Sequence, residues 1–157
     1  MFKRSLSKAD WKRFQRYSGR VRRLRHDQRS MASVFPRSSI PRSHIPLHNQ
    51  VYEDLAATCP TQDIFPNLQS IEWLPYSAER QRLVLTFMHG RVRHLGLYLY
   101  RSDQVALAEH LGRVATACPN VTSLDLSFEQ PIREYGDDVL VLLQGLPHLH
   151  QIGRAHV

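Results

Sequence analysis

The chain has 157 residues, and its 42% hydrophobic and 22% charged residues are ordinary for a globular protein of one domain. No apolar run is long enough to cross a bilayer, no signal-peptide pattern opens the sequence, and two cysteines are too few for a disulfide framework or a cysteine metal site. We therefore expect a protein of the cytoplasm or nucleus that has neither a cofactor nor a metal.

The positive charge is concentrated in the first third of the chain. Residues 1–50 hold 13 Lys and Arg against two acids, a net charge of +11, whereas residues 51–157 hold 8 against 12, a net charge of −4. Such an asymmetry occurs in nucleic-acid-binding arms and also in solvated protein surfaces. Nucleic-acid binding by the basic segment is therefore one alternative function.

The first predicted element is a helix in "SKADWKRFQRYSG". Its start resembles a capping box formed by Ser7 and Asp10. Trp11, Phe14 and Tyr17 recur every three residues, which indicates a buried helix face with the arginines in solvent rather than an aromatic phosphate-binding strip. On this interpretation the partner is a protein and not a nucleic acid.

A loop is predicted next, at residues 27–50. Its "PRSSIPRSHIP" places prolines at positions 36, 41 and 46 among serines and arginines, a composition that cannot hold a helix. We predict a mobile loop and assign it no role.

A staggered apolar pattern then recurs along the chain. In "NVTSLDLSF" the apolar residues Val121, Leu124, Leu126 and Phe128 are spaced three, two and two residues apart. The same spacing occurs in "GRVRHLGLYLY", more briefly in "FPNLQSIEWL", and in "GRVRRLRH", where it stops at His26. The step of three indicates the chain turning into a strand, and the steps of two indicate the strand itself.

Helical patterns separate these strands. They occur in "VYEDLAATCP", "SDQVALAEHLGRVATACP" and "DDVLVLLQGLP", and less clearly in "ERQRLVLTFMHG". Cys59 and Cys118 each precede a proline at a predicted helix end, and we interpret both as inward-packed and unreactive. The second apolar residues of the strands, at positions 24, 71, 95 and 124, are 47, 24 and 29 residues apart. The last two intervals lie within the range of about 20–29 residues of a leucine-rich repeat.

These intervals predict an α/β leucine-rich-repeat solenoid fragment at residues 1–151, with parallel strands on the concave face and helices outside. The polar residues that alternate with the apolar ones would then face a protein partner. They are Arg22, Arg23, Arg25, Gln69, Ser70, Glu72, Arg93, His94, Tyr98, Thr122, Ser123 and Asp125. Arg93 and Tyr98 are the expected anchors, since arginine and aromatic side chains dominate binding hot spots.

The last six residues, "IGRAHV", suggest a different origin. The codons ATC-GGA-AGA-GCA-CAC-GTC encode them and match a common short-read sequencing adapter, in which the stop TGA follows. We interpret residues 152–157 as translated adapter sequence, which makes the chain a fragment. We expect its C-terminal cut to expose Leu142, Leu146 and Leu149.

Four stretches carry a resemblance to a known family. "LSKADWKRFQRYSGRVRRL", "VYEDLAATCP", "IFPNLQSIEWLP" and "CPNVTSLDLSF" resemble the repeat region of fungal F-box-like proteins with leucine-rich repeats, over most of residues 5–151. No asparagine follows the strand leucines, and Trp73 replaces a leucine. The resemblance implies the substrate-recognition repeats of a ubiquitin ligase receptor. A Skp adaptor and a cullin are implied only through an F-box, whose motif is missing from this chain.

Motifs for catalysis or metal binding are not evident. The sequence contains no Gly-rich phosphate loop or nucleophile elbow, and His148 and His150 have no carboxylate or cysteine at ligand spacing. Asp137 and Asp138 are interpreted as a helix N-terminal pair. We therefore expect a protein-binding scaffold and not an enzyme. The alternatives are a free-standing repeat protein whose basic segment binds nucleic acid, or a truncated product without a function of its own.

Overall fold

The structure is a computed structural model that describes residues 7–27, 49–60, 63–75, 77–100 and 104–153. Its described helices are α1 (Lys8–Ser18), α2 (Asn49–Thr58), α3 (Ala78–Gln81), α4 (Gln104–Ala117) and α5 (Gly136–Gln144), with 3₁₀ helices at Arg82–Phe87 and Ile132–Tyr135. Its described strands are β1 (Arg23–Asp27), β2 (Ser70–Leu74), β3 (His94–Leu99), β4 (Ser123–Phe128) and β5 (Gln151–Ile152).

The described strands form one five-stranded parallel sheet in chain order, β1-β2-β3-β4-β5. A helical segment lies between each pair of consecutive strands, so the chain is α/β, as predicted. The register aligns the second apolar residue of every staggered unit in one row. This row is Leu24, Ile71, Leu95 and Leu124, and Ile152 of β5 extends it.

The staggered spacing places its apolar residues in the core, as predicted. Val121 and Leu124 are fully buried, and Leu126 and Phe128 are at most 4% exposed. The polar residues between them are half-buried. One face of β4 is therefore covered by the core, and its other face is in contact with solvent. The equivalent buried residues of the two preceding units are Leu68, Ile71, Trp73, Val92, Leu95, Leu97 and Leu99.

The turn that leads into each strand is joined to the next turn by a repeated pair of backbone hydrogen bonds. The carbonyl oxygen of Arg93 accepts from the N–H groups of Thr122 and Ser123, at 2.8 and 3.0 Å. The carbonyl oxygens of Arg22, Gln69 and Thr122 each accept two bonds from the following unit in the same way. This repetition fixes the register of neighbouring units, so equivalent side chains line up across the sheet.

The helix α1 begins at the predicted capping box and buries only part of its predicted apolar face. The Ser7 N–H donates to Asp10 Oδ2 at 2.9 Å, and the Asp10 N–H donates to Ser7 Oγ at 3.3 Å. Trp11 is 5% exposed and Phe14 is half-buried, but Tyr17 is 61% exposed, so its predicted burial is wrong. Each step of three residues rotates by about 300° around a helix and so falls short of a full turn. After two such steps, Tyr17 no longer lies on the buried face.

His26, where the staggered pattern was predicted to stop, instead continues it. The residue pairs with Trp73 in the register, and its imidazole stacks on the indole with ring centroids 4.1 Å apart. The ring of Tyr52 contacts both of these rings edge-on, at 6.0 and 5.9 Å. An aromatic cluster therefore replaces the aliphatic packing of the later strands at this end of the sheet.

The helices α4 and α5 approach closely because small residues lie between them. A Cβ atom on Gly145 would lie 2.5 Å from the Cβ of Ala115, a distance that the present packing does not allow. A Cβ atom on Gly112 would lie 4.0 Å from Cγ1 of Val141, which is ordinary contact. Gly145 is thus the residue that sets the spacing of the two helices.

The packing of α5 on α4 also overturns an expectation about the C-terminal end. Leu142 is fully buried, Leu146 is 3% exposed and Leu149 is half-buried, so the predicted exposure of these residues is wrong. They are covered because α5 folds back on the preceding unit and joins its core. The exposed large hydrophobic residues among those described in this region are instead Leu140, at 52%, Val141, at 40%, and Ile152, at 59%.

Two predicted segments lie partly outside the described residues. The first is the loop predicted at 27–50, of which residues 28–48 lie outside the described residues. At its two ends, Asp27 is the last residue of β1, and residues 49 and 50 begin α2. Of the segment 152–157, Ile152 pairs with Leu124, and residues 154–157 lie outside the description. In the described ranges, no helix has the length and apolar character needed to cross a membrane.

Candidate binding face

The twelve side chains predicted to face a partner occupy two rows. Those on the strands, here named the sheet face, are Arg23, Arg25, Ser70, Glu72, His94, Tyr98, Ser123 and Asp125. Those in the turns just before the strands, here named the turn row, are Arg22, Gln69, Arg93 and Thr122. The structure therefore brings the predicted residues together but divides them between the sheet face and the turn row.

His94 lies at the centre of the sheet face. Its Nδ1 is 3.1 Å from the Ser123 hydroxyl, and its Nε2 is 3.3 Å from Asp125 Oδ2. The side chains of His94 and Asp125 are 38% and 50% exposed, so both remain accessible to a partner. These contacts hold the imidazole between β3 and β4. Because its rotamers are already restricted, the His94 side chain would lose less conformational entropy when a partner binds.

Glu72 lies on the opposite side of His94 and pairs with a cation. Its Oε2 is 3.3 Å from Nε of Arg25, and another nitrogen of the same guanidinium lies 3.2 Å from Asp27. The Arg25 side chain is 64% exposed, so solvent screens both ion pairs and they add little to stability. Their main effect is to order charged groups of both signs along β1 and β2.

A glycine opens a depression in the middle of the face. Gly96 lies between Glu72 and Asp125 in the register, and a Cβ atom there would meet Glu72 Cγ at 3.4 Å. The depression has a volume of about 410 Å³ and is lined by Glu72, Leu74, His94, Gly96, Leu97, Asp125 and Ser127. Sequence reasoning missed Gly96 and Ser127, although a glycine inside a strand is itself a signal of close approach.

Tyr98 does not serve as the exposed anchor that was predicted for it. Its exposure is 4%, and its ring packs edge-on against Tyr100 with centroids 4.8 Å apart. The Tyr100 hydroxyl donates to the Pro75 carbonyl at 2.9 Å, which holds this ring pair against the end of β2. Alternation correctly places Tyr98 on the polar side of β3, but packing at the strand end covers it.

Arg93, the other expected anchor, is exposed and already makes one structural contact. Its Nη1 donates to the carbonyl oxygen of Asn120 at 2.8 Å, across the junction between two units. Arg22 makes the equivalent bond to the carbonyl oxygen of Asn67 at 3.2 Å. In the same row the Thr122 hydroxyl donates to the Arg93 carbonyl at 3.2 Å. The turn row thus joins the units while keeping its arginines in solvent.

The two clearest pKa shifts belong to the helical layer. Burial, together with the guanidinium groups of Arg82 and Arg113, lowers the pKa of His110 to about 4. Burial raises the pKa of the fully buried Cys118 thiol to about 12, against a smaller opposing effect of a backbone hydrogen bond. At neutral pH both side chains are uncharged, and they act as part of the core.

The sheet face presents hydrogen-bond donors and acceptors. Among the described residues, no group of three or more His, Cys, Asp and Glu side chains could hold a metal ion. The polar side chains of Glu72, His94, Asp125 and Ser127 line the depression, together with Leu74, Gly96 and Leu97. A polar rim around a small apolar floor is the usual composition of a protein-recognition surface.

Comparison with known proteins identifies no relative. A scan against protein-family models, a search of the curated proteins and a search of the solved structures each found no match. We therefore infer function from the geometry of the sheet face.

Proposed function

We propose that this chain is part of a leucine-rich-repeat solenoid that recognises a protein segment across its sheet face, as the substrate-recognition repeats of an F-box-type ubiquitin ligase receptor. The observation that carries the proposal is the parallel sheet in chain order, in which equivalent polar side chains form rows. Stacked units that share one core present such rows as an extended binding surface.

The rigidity of the rows supports recognition. The backbone bonds between turns repeat from unit to unit, and side-chain contacts hold His94 and Arg25 in place before any partner arrives. A surface that is ordered in advance loses less conformational entropy on binding than a flexible loop would lose. The depression over Gly96 would accept one side chain of the partner.

The ligase role comes from the resemblance to F-box-like repeat proteins. In such proteins the F-box binds the Skp adaptor, and the repeats bind the substrate. Recognition of a protein segment therefore requires only the repeats, and it can be measured with this chain alone.

The proposal is tested by selecting peptides from a random display library on the wild-type chain and measuring their affinity for blocked variants. Ser70→Arg and Ser127→Arg place a large side chain on the sheet face. Thr116→Arg places the same side chain on the exposed surface of α4 as a matched control. We expect the face variants to weaken binding at least about tenfold and the control to leave it unchanged.

Two results would contradict the proposal. One is the absence of any selected peptide that binds above background. The other is a set of peptides whose affinity does not respond to either face variant, because such peptides would bind elsewhere on the molecule.

A further inference from the structure

A second surface in the described part of the chain carries positive charge, and the turns that form it contain no acidic residue. It is formed by the turns that precede the five strands, whose sequences are GRVR (19–22), PNLQ (66–69), GRVR (90–93), PNVT (119–122) and PHLH (147–150). Because the strands are parallel and in register, the turns lie side by side along one rim of the molecule.

Four exposed arginines lie on this rim, and we name Arg20, Arg22, Arg91 and Arg93 the arginine rim. Within the described residues none of the four forms an ion pair with a carboxylate. Their positive charge is therefore available to an anionic ligand.

Backbone carbonyl groups hold three of these guanidinium groups in place. Arg22 donates to Asn67 O and Arg93 donates to Asn120 O, as described above. Arg91 donates through Nη1 to the Pro66 carbonyl and to Asn67 Oδ1, both at 3.0 Å. A guanidinium has five N–H donors, so one or two such bonds leave the others free for a ligand. The rim is thus a row of positioned cations.

The outer side of α1 extends this charge. Its exposed cations are Lys8, Lys12, Arg13 and Arg16. The acid of this helix, Asp10, is bonded to Ser7 in the capping box. Since α1 ends at Ser18 and Arg20 follows after one residue, the helix surface and the arginine rim are continuous.

An exposed aromatic ring lies where the two surfaces meet. Tyr17 is 61% exposed, and the guanidinium carbon of Arg20 is 6.0 Å from its ring centroid. Beside cations, such a ring resembles the stacking positions of single-strand-binding proteins. An acidic protein segment would use the cations but would not need the ring.

We propose that the arginine rim and the exposed side of α1 bind single-stranded nucleic acid. The guanidinium and ammonium groups contact its phosphates, and one base stacks on Tyr17. This surface lies apart from the depression over Gly96, so the inference does not depend on the proposed protein recognition.

The first test measures the anisotropy of a fluorescein-labelled oligouridylate of about 12 nucleotides titrated with the full chain, over about 50–200 mM KCl. The variant Arg22→Gln/Arg93→Gln is compared with Arg82→Gln/Arg113→Gln, which removes the same charge from exposed positions outside the rim. We expect the rim variant to bind about tenfold more weakly and to reduce the slope of log affinity against log salt by about 1.4, since each phosphate contact to a single strand contributes about 0.7. Equal losses in both variants, or no binding, would overturn the proposal.

The second test separates nucleic acid from an acidic peptide. Tyr17→Ala should weaken oligouridylate binding about five- to one-hundredfold at an unchanged salt slope, and Tyr17→Phe should retain the affinity. An oligoglutamate of equal charge should bind more weakly and should not respond to Tyr17→Ala. Equal affinity for the two ligands, with no effect of Tyr17→Ala, would assign the surface to acidic protein segments and overturn the proposal.

A measurement on the wild-type chain decides the matter if the rim variant does not fold. Oligouridylate should shift the amide resonances of residues 19–22 and 90–93 in a nitrogen-15 spectrum. Shifts confined to the sheet face around Gly96, or no shifts at all, would overturn the proposal.

Discussion

The side-chain amide of Asn120 donates a hydrogen bond to the carbonyl oxygen of Gly90 at 2.8 Å. Asn67 makes the same bond to Gly19, also at 2.8 Å, and Arg91 replaces the asparagine in the unit between them and reaches the corresponding carbonyl group. Side chains of the turns therefore form a ladder beside the backbone ladder, and this ladder connects the first four units in sequence.

Loss of one bond of the side-chain ladder should weaken the fold measurably. We expect Asn120→Ala to lower the free energy of unfolding by about 1 kcal/mol, since it leaves the Gly90 carbonyl with one bond fewer. Gln144→Ala, at an exposed position at the end of α5, is the control and should change it by less than about 0.5 kcal/mol. Urea unfolding measures both values, and equal effects would show that the ladder contributes nothing.

The contact between α4 and α5 predicts opposite effects at two glycines. Gly145→Ala should destabilise the chain by about 1–3 kcal/mol, because the new methyl group would overlap Ala115. Gly112→Ala should stabilise it by about 0.5–1 kcal/mol, because the site has room and alanine favours the helix.

Adding Ala115→Gly to Gly145→Ala should recover part of the loss at position 145. Thermal or urea unfolding of the two single variants and the double variant gives the coupling energy. Additive effects would mean that the two residues do not touch.

The fold should lose stability in mild acid because of His110. Its pKa of about 4 in the folded chain lies below the ordinary value of about 6.5, so the unfolded chain binds an additional proton between those values. The associated stability is fully present above about pH 6.5, and up to about 3 kcal/mol is lost as the pH falls towards 4.

Urea unfolding across this pH range tests the assignment to one residue. His110→Leu should remove most of the acid sensitivity, whereas His148→Leu, at an exposed position, should retain it. The same acid sensitivity in wild type and His110→Leu would assign the effect to other groups.

The two cysteines should differ in reactivity. Cys118 is fully buried and its thiol has a pKa of about 12, so a thiol reagent such as DTNB should modify it only when the chain unfolds. Cys59 is half-buried and should react in the folded state. Single Cys59→Ala and Cys118→Ala variants separate the two rates. Rapid modification of Cys118 in the folded chain would show that its surroundings are open.

The core of the sheet can be predicted from spacing alone. When one face of a parallel strand is covered, only alternate residues are buried, and this rule identifies Leu124, Leu126 and Phe128. The same rule fails at His26, because a ring that stacks on Trp73 substitutes for an aliphatic residue. Hydrophobicity does not reveal such a substitution, since the favourable contact depends on the neighbouring strand.

The candidate site is less predictable, because it depends on contacts between units. Alternation places Tyr98 on the polar side, but the packing of Tyr100 at the strand end decides that it is buried. The depression over Gly96 requires the register of three strands, and the arginine rim requires turns from separate units to lie together. Sequence spacing within one unit contains none of this information.

The most direct test of recognition by the sheet face is amide chemical-shift mapping of a selected peptide on the nitrogen-15-labelled chain. The shifts should centre on Ser70, His94 and Ser123, which lie side by side across three strands. Shifts that centre instead on the outer surfaces of α4 and α5 would contradict the account and place any partner on the helical side of the molecule.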